Sequence, residues 1–212
     1  MKKLYIVGAG GFGGELLWLV QRINEQTPTW KVAGFIDDNA ELHGLTRNGY
    51  PVLGGCDYLR SQKEEAWAIV AIGASHIKKK VVKTLEQCSN IQFATLIDPS
   101  AQLSNSVMIG EGSAICAGSV LTVDVEIGRH VAVNLNCTIG HDAIVQDYAT
   151  VYPGVHISGN VSVGQCVELG TGSQIIQGKK IGNNIVVGAG SVVTKDLSKQ
   201  GTYVGVPVRR VK

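Results

Sequence analysis

The sequence predicts a two-part fold: a small doubly wound α/β unit followed by a solenoid of very short parallel strands. Strand and helix signals alternate over the first ninety-odd residues, and an aliphatic residue then recurs at every sixth position. The composition agrees, since 27 glycines against 6% aromatic residues suit a repetitive β architecture.

Lys3 to Val7 reads as a buried strand. It runs into Gly8-Ala9-Gly10-Gly11-Phe12-Gly13, the G-x-G-x-x-G spacing of a dinucleotide-binding turn. A helix is expected over 13–23, with Leu16, Leu17, Leu19 and Val20 apolar. A second strand over 31–36 ends at Asp37-Asp38, and an apolar run over 66–72 closes at Gly73. Residues 75–87 follow as a helix with Ile77, Val81, Val82 and Leu85 near one stripe. Lys78-Lys79-Lys80, the one dense basic run, reads as its solvated face. Residues 92–97 complete the unit as a further strand.

After Asp98-Pro99-Ser100 the pattern changes. All fifteen positions taken every sixth residue from Ile109 to Val193 are Ile, Leu or Val, far beyond chance, and Leu103 and Ile97 extend the series backwards. Small or β-branched residues stand two places before the aliphatics, as at Ser113, Val125, Cys137, Ala143 and Val155. Glycine often follows them, as at Gly110, Gly128, Gly140 and Gly164. The aliphatic is expected to point to the axis with the small residue beside it, and glycine to free the backbone near each corner. Cys137 falls on the small interior register and reads as filler rather than nucleophile. The expected organisation is 1–96, 97–198 and a tail over 199–212.

The charge is nearly balanced, +2 with 19 basic and 17 acidic residues, which removes the bulk field expected of a nucleic-acid binder. Five scattered cysteines without a C-x-x-C pair favour reduced thiols and a cytoplasmic setting over disulfides or a metal site. No run suits a signal peptide or a membrane span.

Of five histidines, His141 stands out, because it follows Ile139-Gly140 and should project outward from a corner with Asp142 beside it. A histidine oriented by a carboxylate suits a general base, although by spacing alone an ordinary exposed surface histidine is the better explanation.

The six-residue repeat resembles that of the hexapeptide-repeat proteins, whose fold is a left-handed parallel β-helix with three hexads per coil. That implies between five and six coils here. The whole chain resembles the sugar acyltransferases that include bacillosamine-pathway and perosamine N-acetyltransferases and sialic acid O-acetyltransferases. The residues that carry the resemblance are the GAGGFG turn, Asp37-Asp38, Ala71-Ile72-Gly73, the His141-Asp142 pair and Val204 to Pro207. It implies a Rossmann-like N-terminal domain that binds a nucleotide sugar through Gly10, Gly11, Phe12, Asp37, Asp38 and Gly73. It also implies His141 as catalytic base with Asp142 its acidic neighbour, and Asn134 near the sugar. Acetyl-CoA would run past Thr150, Gly159, Thr171, Gly188 and Ala189, with no metal, in a homotrimer with active sites between prisms. Phe12 and Thr150 stand where bacillosamine-pathway relatives carry histidines, which leaves the acceptor open.

The expected reaction is N-acetylation of a nucleotide-activated 4-amino-4,6-dideoxy sugar, with direct attack on the thioester and no Ser or Cys on the outward register beside His141. Sialic acid O-acetylation is the alternative. An NAD-dependent oxidoreductase would use the same glycine turn, with Asp37 24 residues beyond Gly13. However, the repeat offers no hydride-transfer site. A hexapeptide scaffold without activity is the third possibility.

Overall fold

The computed structural model describes residues 1–212. Its first part comprises β1 (Lys2–Val7), α1 (Gly11–Gln26), β2 (Trp30–Ile36), β3 (Thr46–Arg47), β4 (Tyr50–Gly54), α2 (Cys56–Ser61), β5 (Ala66–Val70), α3 (Ser75–Leu85) and β6 (Ile91–Phe93). The strands form one sheet in the order β3-β4-β2-β1-β5-β6, parallel except for the β3–β4 hairpin. Alternation along β1 feeds two cores. Leu4 and Ile6 pack with Leu16, Leu17 and Val20 of α1, whereas Tyr5 and Val7 pack with Leu59 of α2 and with Val82 and Leu85 of α3.

The hairpin and α2 lie outside the expected elements. The signal was Asn48-Gly49, whose φ angles of 48° and 82° fit the primed turn that matches strand twist. The strand expected over 92–97 is divided. Ile91–Phe93 ends the α/β sheet, while Leu96 donates to the Ser113 carbonyl and opens the second part.

From Leu96 to Val193 the chain runs as short rungs, each paired in parallel with the rung eighteen residues away, and Gly201–Val204 then adds a C-terminal strand beside Ile185–Val187. Ile115, Val133, Val151 and Leu169 stack in a first sheet, Leu121, Ile139, Ile157 and Ile175 in a second, and Ile127, Val145 and Val163 in a third. Eighteen residues thus make one turn of a three-sided prism, a parallel β-helix whose axis is filled by a 25-residue aliphatic core. The aliphatic register is buried from Ile115 to Val193, and Cys137 with it, whereas Leu103 and Ile109 are half-buried and Ile97 is exposed at the open first coil. No helix of the chain is long and apolar enough to cross a membrane.

The glycines after the aliphatics act differently from expectation. The residue with positive φ comes three places after each aliphatic, in unbroken series from Gly112 to Gly190, and includes Asp124, His130, Asn136, Asp142, Asn160 and Asn184. Corners turn there because Gly, Asn and Asp tolerate left-handed backbone. Gly110, Gly128, Gly140, Gly164 and Gly170 are instead required by close stacking: a Cβ on Gly140 would lie 2.6 Å from the Gly159 nitrogen of the next coil.

The α/β unit covers the first sheet of the prism, the corner before it and the early coils of the corner after it. Leu96, Ala114 and Cys116 join the α1-side core, and Tyr148 and Cys166 join the α3-side core. Arg22 of α1 holds Asp98 through two bonds, Nε to Oδ2 at 2.7 Å and Nη2 to Oδ1 at 3.1 Å.

His130 is sealed in this junction at 1% exposure, stacked on Tyr148 and edge-on to Phe93, with neither ring nitrogen hydrogen-bonded. Burial, then the charges of Arg129 and Lys78, push its pKa down to about 4. The unfolded chain therefore binds more protons between the ordinary value of 6.5 and about 4. The associated stability is complete above pH 6.5 and is lost as pH falls through that window, by at most about 3 kcal/mol. Thermal melts from pH 7 to 4 should show this loss, and His130→Phe should flatten it. An unchanged pH slope would remove His130 as its source.

Candidate active site

The dyad forms where the chain leaves the second sheet. After the rung Thr138–Ile139, Gly140 allows the coils to touch, His141 turns outward, and Asp142 makes the corner with φ 57°. Asp142 therefore both turns the backbone and presents its carboxylate. Its Oδ2 lies 2.7 Å from His141 Nδ1, with the two side chains 49% and 53% exposed. With Nδ1–H donating to the carboxylate, Nε2 carries the lone pair and is the proton acceptor.

Gly159, one coil on, lies beneath the ring. A Cβ there would collide with His141 Nε2, Cε1 and Cδ2. Its absence lets the imidazole lie flat over the Gly159 backbone. Gly159→Ala should tilt the ring and lower kcat/KM about 100-fold, as expected for a misplacement of about 1 Å. The melting temperature should barely move, because the backbone there is not left-handed. Steady-state kinetics beside a thermal melt separate the two effects.

Ser158 is exposed on the coil beyond Gly140. Its hydroxyl has no bond to His141, whose one side-chain partner is Asp142. Cys137 faces inward, and its thiol is pushed up to about 11 by burial, so neither group is an activated nucleophile.

A second feature lies at the carboxyl edge of the α/β sheet. A cavity of about 190 Å³ is walled by Gly8, Asp37, Asp38, Ile72, Ile77 and Val81 among others. Asp37 Oδ2 accepts from Ala9 N–H at 2.8 Å and Asp38 Oδ1 from Cys56 N–H at 2.8 Å, so both carboxylates fix the cavity's main chain as well as line it. Gly10 and Gly11 have open space where a side chain would be, and no side chain caps the N-terminus of α1. Phe12 is half-buried and packs against the edge of the α1-side core.

The other expected residues divide between corners. Asn134, Thr171, Gly188 and Ala189 lie where the first sheet passes to the second, a different prism edge from His141 and Gly159. Thr171 and Ala189 are exposed, while Gly188 accommodates Val204 of the C-terminal strand. Asn134 is buried and donates to the Val151 carbonyl at 3.3 Å, so it does not face an open sugar site. Thr150 is corrected outright: it points from the first sheet into the domain junction, is fully buried, and bonds to Gly73 and Lys78. It lines no channel. No group of three or more His, Cys, Asp or Glu side chains converges as a metal site would require.

The α/β unit covers one side of the prism, and the dyad sits on the opposite edge. Within one chain, the cavity and His141 thus lie on opposite sides of the prism.

Comparison with known proteins follows this layout. Residues 3–85 match the model of the PglD N-terminal domain. GDP-perosamine N-acetyltransferase of Escherichia coli O157:H7 is 29% identical over 186 residues, 87% of this chain and 82% of its own length. A solved point variant of perosamine N-acetyltransferase from Caulobacter crescentus, in complex with CoA and GDP-perosamine, superposes with a TM-score of 0.90 at 29% identity. It covers 100% of this chain and 98% of that one. WeeI from Acinetobacter baumannii AYE is 32% identical with a TM-score of 0.88, covering 100% of both chains.

Proposed function

Because this chain belongs to the hexapeptide-repeat sugar acetyltransferases, we propose that it transfers the acetyl group of acetyl-CoA to the amino group of a nucleotide-activated 4-amino-4,6-dideoxy sugar. The observation that carries the reading is the pairing of an oriented, solvent-open histidine with a separate cavity for a nucleotide. By the same family likeness the coil winds left-handed and the protein works in the cytoplasm; the expected boundaries at 96/97 and 198/199 shift, because Leu96 already pairs into the prism and residues 201–204 add a last strand to its first sheet.

The acceptor amine, neutral on attack, adds to the thioester carbonyl while Nε2 of His141 removes its proton. Collapse of the tetrahedral adduct expels the CoA thiolate, which takes that proton from the imidazolium. Asp142 holds the ring and offsets the transient positive charge, and coil amides at the corner stabilise the oxyanion. The amides of Gly11 and Phe12 at the start of α1 receive the pyrophosphate.

The separation of cavity and dyad on opposite sides of one prism supports a homotrimer. In it, the edge bearing Thr171 and Ala189 of one protomer meets the His141 edge of the next and encloses acetyl-CoA. A monomeric sedimentation coefficient for an active enzyme contradicts this assembly. The reaction itself is tested by CoA release with GDP-, UDP- and dTDP-4-amino sugars and with free sialic acid. Release with an aminosugar nucleotide is the expected result; release with sialic acid alone assigns O-acetylation instead.

A further inference from the structure

Lys78, expected on the solvated face of its helix, is instead sealed between the domains at 1% exposure. Its ammonium donates to the Ala149 carbonyl at 3.0 Å and to Thr150 Oγ1 at 2.8 Å, and the Thr150 hydroxyl donates onward to the Gly73 carbonyl at 2.7 Å. One coil on, Glu168 accepts from the Ser75 N–H at 2.9 Å and from the Tyr152 hydroxyl at 3.4 Å. That hydroxyl stands 3.0 Å from where a Cβ on Gly73 would lie.

The loop from Ala71 to Ser75 is thus held by the prism at the Gly73 carbonyl, beneath Gly73 and at the Ser75 amide. The same loop and α3 supply Ile72, Ile77 and Val81 to the cavity wall. Part of that wall is therefore fixed by the β-helix, not by the α/β unit alone. Burying an ammonium is costly, and a methionine would fill the space without that cost. Burial, partly offset by Glu168, brings the lysine pKa down to about 7.

We propose that Lys78, Thr150 and Glu168 are positioning residues for the acceptor nucleotide, setting the register between its cavity and the prism that carries the catalytic edge. This rests on the cavity's being the nucleotide site. Thr150→Val breaks the link but strands a buried lysine. The Thr150→Val/Lys78→Met double variant removes both partners and leaves fewer unpaired groups, so it should fold.

In calorimetric titrations with GDP, UDP and dTDP, the double variant should bind the preferred nucleoside diphosphate about tenfold more weakly, the equivalent of one lost hydrogen bond. The KM for the aminosugar nucleotide should rise in parallel, with that for acetyl-CoA within about twofold. Thr150→Ser keeps the hydroxyl and should recover most of the affinity. A folded double variant that binds as wild type does overturns the positioning role. A wild-type chain that binds none of the three diphosphates overturns the nucleotide site itself, and the proposal with it.

Discussion

His141→Ala should lower kcat by a factor of about 10²–10⁴, the range attributed to a positioned general base, while the protein remains folded. The side chain is half exposed and its single side-chain partner is Asp142, so the substitution opens no cavity in the core. KM values should change little, because the imidazole acts on a proton transferred in the transition state. Asp142→Asn keeps a residue that tolerates the left-handed corner yet removes the charge that holds the ring, and should cost less, roughly tenfold. Stopped-time CoA assays on both variants check the order. Undiminished turnover of His141→Ala would remove the base from the mechanism and return the prism to a scaffold.

The second large effect concerns stability and lies in the glycine turn. Gly13→Ala directs a methyl at the Gly8 carbonyl oxygen, where α1 crosses β1. That obstacle is backbone on both sides, so relief requires moving the helix off the sheet. The cost should reach about 3 kcal/mol or more, near the top of the range for overpacking. For a chain of this size that is a fall of roughly 10 °C in melting temperature. Gly11→Ala, two residues earlier in the same turn, meets nothing within 4 Å and lies in the helix. It should be neutral or stabilising by up to about 1 kcal/mol, since alanine restricts the unfolded chain. Differential scanning calorimetry on the pair measures the contrast; equal melting temperatures would show that α1 is free to shift.

The repeat was legible because each rung faces the same constraint. An inward aliphatic and a small neighbour must recur wherever one coil stacks on the next, so the period survives in a single sequence. The corners were legible too, through Asn, Asp and Gly three places after most of the aliphatics, His130, Tyr148 and Cys166 being the exceptions, yet the more conspicuous glycines beside the aliphatics drew the corner assignment away. His141 and Asp142 could be paired because they are adjacent in the chain. Lys78 and Thr150 were misread because nothing local distinguishes a charged residue facing water from one facing another domain.

By itself the sequence determined the α/β unit, the hexad solenoid and the identity of the dyad, all of which depend on local periodicity or on neighbours in the chain. The tertiary structure alone decided which side of the prism the α/β unit covers. That choice buried Lys78, Thr150 and His130, and it left His141 on the far edge from the cavity. The physical reason is that a three-sided coil presents three faces of similar periodicity. Only the packing of α1, α3 and their loops selects among them.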